Sequence, residues 1–216
     1  MRIALIHALG HSVNPINAVM AAQWPDAVAM NVLDDSLSAD LARNGQGLDA
    51  AMHQRFIDLA AYVVGTGVDG ILFTCSAFGP CIDAVKARWP EIPVFKPNEA
   101  MIDQAQSLGG RVGLIASFAG TLKTMPAEFN PSTELDTLLT EAALDALNHG
   151  QGERHDALVL DAARQLVSRG AQVIALAQFS MARAALLLRQ ELSVPVLTTP
   201  ESAVAALRKA VGVSAE

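Results

Sequence analysis

Two cysteines are the only thiols of the chain, and both stand in the segment DGILFTCSAFGPC, directly after an apolar run. A thiol there could abstract a proton, deliver one or attack a carbonyl, provided that it lies at the mouth of a sheet. Pro80 suits the first position of a helix. The turn between Cys75 and that helix would then offer unpaired backbone N–H groups to an anion. The same field would lower the Cys75 thiol from about 8.5 toward neutrality. Small side chains at Ser76, Ala77 and Gly79 would let a ligand approach the backbone. The competing reading is a buried, inert cysteine that packs like a small hydrophobe. For Cys81, in the first turn of the predicted helix, packing is the preferred reading.

Other candidates follow from position. His7 closes the first predicted strand, where an imidazole could orient a carboxylate or relay a proton, or simply lie satisfied beneath a loop. His11 lies in the loop beyond. His53, His149 and His155 fall in polar or helical stretches and are expected in solvent. Asp34, Asp35 and Ser36 after the second strand read as helix caps. Glu99 and Glu201 open helices, where acids favour the macrodipole. Lys96, at a strand end, could contact an anion. No His, Asp or Glu cluster has metal-ligand spacing, and no metal or cofactor is expected. GTGVDG (65–70) has spaced glycines but ends a helix and enters a strand, the reverse of a dinucleotide fingerprint. No G-x-S-x-G surrounds Ser76 or Ser180, so a serine-hydrolase elbow is absent.

The elements that must position these residues alternate. Strand-like runs are Arg2–Ile6, Ala27–Val32, Gly70–Thr74, Val94–Phe95, Val112–Ala116, Val173–Ala177 and Val196–Leu197. Helical segments include Leu48–Gly65, Pro80–Arg88, Glu99–Leu108, Thr137–Asn148, Glu153–Arg169, Ala182–Gln190 and Glu201–Val211. The pattern predicts α/β architecture with parallel strands, covered on both faces.

The chain also repeats itself. RIALIHALGHS from Arg2 matches RVGLIASFAGT from Arg111. GVDGILFTCSAFG from Gly67 matches GAQVIALAQFSMA from Gly170, and IPVFKPNEAM from Ile92 matches VPVLTTPESA from Val194. Three similar offsets in one order predict two similar parallel-sheet halves related by a pseudo-twofold axis. The expected division is 1–98, with a C-terminal helix over 200–216 packing back on it, and 99–199. Ligands of parallel sheets bind beyond the carboxyl ends of strands, so the expected site is a cleft between the halves. The repeat pairs Ala8 with Ser117, Ser12 with Thr121, Cys75 with Gln178 and Ala77 with Ser180.

Bulk properties narrow the function. A chain of 216 residues with about half of them hydrophobic (51%) can bury a sizeable core. A net charge of −7 without any basic run argues against nucleic acid and anionic membrane as partners. Two cysteines make no disulfide framework. No apolar run has the length of a membrane span, and the N-terminus does not read as a signal peptide. A reduced, cytoplasmic protein is the expectation.

Taken together, GILFTCSAFG, VIALAQFSMA and RVGLIASFAGTL in this order resemble the aspartate/glutamate/hydantoin racemase superfamily along nearly the whole chain. The resemblance implies two α/β domains around a cleft, cofactor-independent chemistry at the carbon next to a carboxylate, and ligand-facing positions at Ser117 and Thr121. It also implies a homodimer. The chain departs from the pattern where the second cysteine belongs, because Gln178 stands there. An amide cannot exchange a proton at useful pKa, although it can donate hydrogen bonds to a carboxylate or enediolate oxygen. Two-thiol racemisation is therefore in doubt. Single-thiol relatives such as the arylmalonate decarboxylases carry their cysteine in the second half, whereas here it lies in the first.

The leading expectation is an isomerase or lyase acting on a small carboxylate. Cys75 is its proton-transferring or nucleophilic thiol, with His7, Cys81 or Ser180 open as a second relay. Backbone N–H groups near Ser76, Ala77, Phe179 and Ser180 would hold the oxygens, with Ser117, Thr121 and Gln178 completing the cradle. The alternatives are a hydrolase using Cys75 with His7 and a non-catalytic carboxylate-binding protein.

Overall fold

A computed structural model describes residues 1–45 and 47–212. Its chain divides into two compact units, Met1–Pro97 with the segment from Ala203 onward, and Asn98–Ser202. The first runs β1 (Arg2–His7), α1 (Val13–Gln23), β2 (Val28–Leu33), α2 (Ser36–Asn44), α3 (Ala50–Gly65), β3 (Gly70–Phe73), α4 (Gly79–Arg88) and β4 (Val94–Phe95). The second runs α5 (Glu99–Leu108), β5 (Val112–Ala116), α6 (Ala119–Thr124), β6 (Leu135–Leu139), α7 (Glu141–Asn148), α8 (Gly152–Ser168), β7 (Val173–Leu176), α9 (Ala185–Glu191) and β8 (Val196–Thr198). Helix α10 (Thr199–Ala210) starts in the second unit and ends in the first. Of the C-terminal helix predicted over 200–216, residues 213–216 lie outside the described residues.

Each unit holds a four-stranded sheet in which all pairs are parallel, with order β2-β1-β3-β4 in one and β6-β5-β7-β8 in the other. The same order twice is the structural counterpart of the sequence repeat. In both sheets the order reverses between the first and third strands. The carboxyl ends of β1 and β3, and of β5 and β7, therefore form the switch points where parallel sheets accept ligands.

Apolar strands place the cores. β3 and β7 are buried at every residue, as strands covered by helices on both faces must be. In the first unit α3 presses Met52, Phe56, Ala60 and Val63 onto the sheet. Its start is fixed by Asp49, whose side chain accepts from Met52 N at 2.8 Å. It ends at Gly65, and Gly67 follows at φ +75, a left-handed turn into β3. In the second unit α8 contributes Val159, Ala162, Ala163 and Leu166 to the core. From α10, Leu207 comes so close to Gly70 that a Cβ there would lie 2.9 Å from its Cδ1, so a side chain at the start of β3 would have to displace that methyl.

Two expectations need correction. The helix predicted over Thr137–Asn148 begins only at Glu141, and residues Leu135–Leu139 form β6, registered on β5 from Val112↔Leu135 to Ala116↔Leu139. LDTLL is a half-buried edge strand. It lacks the continuous apolar run of a central strand, and pairing along β5 outweighs the helical propensity that the alanines downstream lend it. His155, expected in solvent, is fully buried. It opens α8 on the inward face and bonds to Asp156, so a polar neighbour does not mean a solvated imidazole.

Candidate active site

Cys75 follows β3 by two residues and has extended backbone (φ −127, ψ 121) before a 3-10 turn over Ser76–Phe78, from which α4 starts at Gly79 with Pro80 second. The turn is bracketed by core aromatics. Phe73 before it and Phe78 within it both pack on Phe56 of α3, at ring-centroid distances of 5.3 and 4.9 Å. Each such pair is worth about 0.5–1.5 kcal/mol beyond area burial, enough to pin both ends of a four-residue bend.

Cys75 is half-buried as a residue, with its sulfur turned inward. Burial pushes its pKa up, opposed by hydrogen bonds from the Ala77 backbone and the Ser38 hydroxyl. The lowering expected from the helix start thus loses to desolvation, and the resting group is a thiol rather than a thiolate. Ala77 turns its backbone N–H toward the sulfur, where it would stabilise the thiolate left after proton donation. Ser38, on α2, lies within reach of both the sulfur and the Ala8 carbonyl (3.2 Å), and its one hydroxyl hydrogen goes to either, so its oxygen links the ends of β1 and β3. Arg55 of α3 fastens the start of α2 through Asp34 (2.6 Å), Ser36 Oγ (2.6 Å) and Asp40 (2.7 Å).

His7 is fully buried, with Nδ1 2.9 Å from Thr74 Oγ1 and Nε2 2.9 Å from Asn31 Oδ1. Asn31 Nδ2 donates to Asn17, so its oxygen faces the ring. Nε2 therefore carries the hydrogen, and Nδ1 accepts from the Thr74 hydroxyl. Burial holds the imidazole below its ordinary pKa, with the Asn31 bond acting against. Both ring nitrogens are engaged by neutral partners, and the imidazole reaches Cys75 only through its sequence neighbour Thr74. Cys81 is also fully buried and lies in the core. Burial, with Asp49 adding to it, pushes its thiol up to about 11.

The second unit repeats the layout with different chemistry. Gln178 follows β7 by two residues, extended (φ −133, ψ 146), before a 3-10 turn over Phe179–Ala184. Its Oε1 accepts from Ser117 N at 2.7 Å and Ser117 Oγ at 3.2 Å. With the oxygen so occupied, the amide presents its nitrogen, a double donor. Within the turn the first inward bond runs from Met181 N to Gln178 O (3.0 Å), leaving the N–H groups of Phe179 and Ser180 ahead of it. Ser117 and Thr121 are buried, Ser180 and Gln178 half-buried, and Phe179 buried, so only the backbone of Phe179 can meet a ligand. The first unit thus groups Cys75, Ser76 and Ala77, and the second Ser117, Thr121, Gln178, Phe179 and Ser180. Ser38 and Thr74 belong beside Cys75 but read in the sequence only as a cap-region serine and a strand residue.

Such a pair of layouts, one with a thiol and one with an amide at the corresponding strand end, invites comparison with known proteins. The Asp/Glu/hydantoin racemase family model matches residues 13–207. The chain belongs to this family. A comparison with curated proteins finds no match. Among solved structures, the Picrophilus torridus aspartate racemase is similar at TM-score 0.73 and 11% identity, covering 100% of this chain and 96% of that one. The allantoin racemase from Klebsiella pneumoniae has TM-score 0.73 and 21% identity, covering 100% and 90%. Unliganded arylmalonate decarboxylase has TM-score 0.64 and 14% identity, covering 100% and 94%. The racemase-family fold of two similar parallel-sheet halves is the one described above.

Elsewhere, a cavity of about 730 Å³ opens at the amino ends of β5–β7, lined by Gln106, Arg111, Asn130, Glu134 and Gln172 among others. It lies at the end of the sheet opposite Ser117 and Gln178. Its polar groups largely bond one another, Arg111 to Glu134 and Gln106 to Asn130 N. Among the described residues no group of three or more His, Cys, Asp or Glu could hold a metal, and no helix is long and apolar enough to cross a membrane.

Proposed function

We propose that this racemase-family chain is a cofactor-independent isomerase or lyase acting at the carbon next to the carboxylate of a small acid, with Cys75 as its proton-transferring group. The observation that carries the reading is the Gln178 amide, whose oxygen is taken by Ser117 and whose nitrogen is left to donate. The first unit supplies one titratable sulfur and the second one fixed donor. The sulfur moves a proton. The amide, with the N–H groups of Phe179 and Ser180 and the hydroxyl of Thr121, holds the oxygens that become negative as the α-carbon acquires carbanion character.

The raised Cys75 pKa favours a proton-donating role. In a lyase turnover the bond from the α-carbon to the departing carboxylate breaks, and carbon dioxide leaves without the bonding pair. That pair becomes the enediolate of the remaining carboxylate. The α-carbon then takes the proton of the Cys75 S–H, and water reprotonates the thiolate. Ala77 N–H and the Ser38 hydroxyl hold the thiolate in the interval. The hydrolase alternative needs an imidazole on the sulfur, and both His7 nitrogens are already engaged by Thr74 and Asn31.

Iodoacetamide labelling of the folded protein tests the reading. Modification of Cys75 alone should abolish deuterium exchange at the α-carbon of substrate acids, in step with the fraction labelled. Full labelling with exchange intact would remove Cys75 from the chemistry.

A further inference from the structure

The two units are built alike, with one polar exception in the core. An offset of 103 residues carries Cys75 onto Gln178 and the buried face of α3 (Met52, Phe56, Ala60 and Val63) onto His155, Val159, Ala163 and Leu166 of α8. Three of these four pairs are apolar in both units. The fourth sets a fully buried imidazole where the twin helix has a methionine. His155 Nε2 has no partner among the described residues. A buried polar atom left unpaired destabilises a fold, and methionine would remove that penalty. Core packing alone does not account for the histidine.

Its other nitrogen serves the turn that holds the oxygen donors. Nδ1 donates to Asp156 Oδ1 at 2.8 Å, and the same carboxylate takes both arms of Arg183, Nε at 2.8 Å on Oδ1 and Nη2 at 3.1 Å on Oδ2. The guanidinium lies on Gly152, the first residue of α8, where a Cβ would push it aside. Arg183 belongs to the 3-10 turn Phe179–Ala184, the turn that carries the N–H groups of Phe179 and Ser180. The corresponding turn of the first unit is 3-10 only over Ser76–Phe78 and passes into α4 at Gly79. Runs of 3-10 helix beyond three or four residues are uncommon, because their hydrogen bonds are poorly aligned. The first turn is held by Pro80 and by Phe73 and Phe78 on Phe56. At the same offset the second unit has Arg183, Leu176, Met181 and Val159, neither proline nor ring. The longer turn is instead fastened near its end by a two-armed charged bond to α8.

We propose that Arg183, gripped by Asp156 that His155 orients, is a positioning residue that fixes this turn so that the Phe179 and Ser180 N–H groups meet the oxygens of a bound carboxylate. The proposal rests on the reading of the turn as an oxygen-holding site. All three side chains act through the turn and not on the reacting atoms.

The test follows amide hydrogen exchange by NMR, with acetate as the carboxylate probe. Met181 N–H, bonded to Gln178 O at 3.0 Å, reports on the turn, and Val159 N–H, inside α8, reports on the fold. Arg183→Met should speed exchange at Met181 about tenfold and leave Val159 unchanged. Arg183→Lys keeps the charge and one bond, so its rise should be smaller. His155→Met, which installs the twin residue, should also speed Met181 without lowering the urea midpoint at pH 8. In wild type, acetate should shift the Phe179 and Ser180 amide resonances, and Arg183→Met should weaken that binding about fivefold. An unchanged Met181 rate in Arg183→Met, equal acceleration at Met181 and Val159, or a loosened turn with acetate affinity intact would overturn the proposal. So would an Arg183→Lys protein as loose as Arg183→Met. If wild type shows no acetate shift at Phe179 and Ser180, the turn is not an oxygen-holding site and the positioning role falls with it. Acetate binding that tracks the Met181 rate, with α-carbon exchange unimpaired in Cys75→Ser, would support the positioning role and refute only the proton role of Cys75.

Discussion

Ser117 grips the Gln178 side-chain oxygen with both of its donors, the backbone N–H at 2.7 Å and the hydroxyl at 3.2 Å. The grip decides which end of the amide faces a ligand. Replacing Gln178 by Glu keeps an acceptor for Ser117 but removes the donor and adds a charge that repels a carboxylate. Gln178→Glu should therefore lose about 10²–10³ in kcat, the cost of one oxyanion donor. Ser117→Ala keeps the backbone donor and should lose much less. Steady-state kinetics of both variants check the order, and equal losses would contradict it.

The sulfur of Cys75 should respond to Ser38. Removing that hydroxyl takes away one of the two hydrogen bonds that oppose burial, so Ser38→Ala should move the thiol pKa further up. The rate of iodoacetamide alkylation followed against pH reads this directly, because the thiolate is the reacting species. The profile should shift to higher pH in Ser38→Ala. Cys81, buried and near 11, should stay unlabelled until the chain unfolds.

Two buried imidazoles make the fold sensitive to acid. Burial holds His7 and His155 below the ordinary value of 6.5. Asp156 opposes this for His155, while Arg183 adds to it. His155 donates from Nδ1 to Asp156, and its Nε2 has no partner among the described residues, so a second proton there would have nowhere to bond. Because the folded values lie below the unfolded ones, the unfolded chain binds protons first. Stability is then full above pH 6.5 and falls as the pH drops through 6.5 toward the folded values. Asp34 and Glu201, whose folded pKa values are lowered despite burial, lose their contribution only at more acid pH. Urea denaturation between pH 5 and 8 should show a decline that starts near 6.5. A flat profile down to pH 5 would mean that neither imidazole is buried neutral.

Phe56 supports the active turn from below. Phe56→Ala should cost about 3–5 kcal/mol, as large aromatic truncations in cores do, and should speed alkylation of Cys75 by loosening the bend between Phe73 and Phe78. Chemical denaturation and labelling kinetics on the same sample test both effects.

Much of this was legible in the sequence, because parallel strands buried on both faces announce themselves as apolar runs. ILF and VIAL are examples, and the repeat from Arg2 to Arg111 foretold two sheets of one order. The repeat also held the missing strand: β6 stands to β5 as β2 stands to β1, yet LDTLL carries too little apolar character to be seen alone. Side-chain partnerships were less accessible. Ser38 and Cys75 are far apart in sequence and meet where α2, tied to α3 by Arg55, passes the end of β3. The rise in the Cys75 pKa depends on how deeply the sulfur is covered, which spacing does not encode. His7 and His155 look alike in sequence to solvated histidines, since burial of an imidazole is set by what packs over it.

The most direct test of the central claim is proton exchange at the α-carbon of a substrate acid in deuterium oxide, followed by NMR for wild type and Cys75→Ser. With Cys75 as the proton-transferring group, wild type incorporates deuterium at that carbon and Cys75→Ser, folded as judged by circular dichroism, incorporates none above the uncatalysed rate. Incorporation by Cys75→Ser at the wild-type rate would contradict the account.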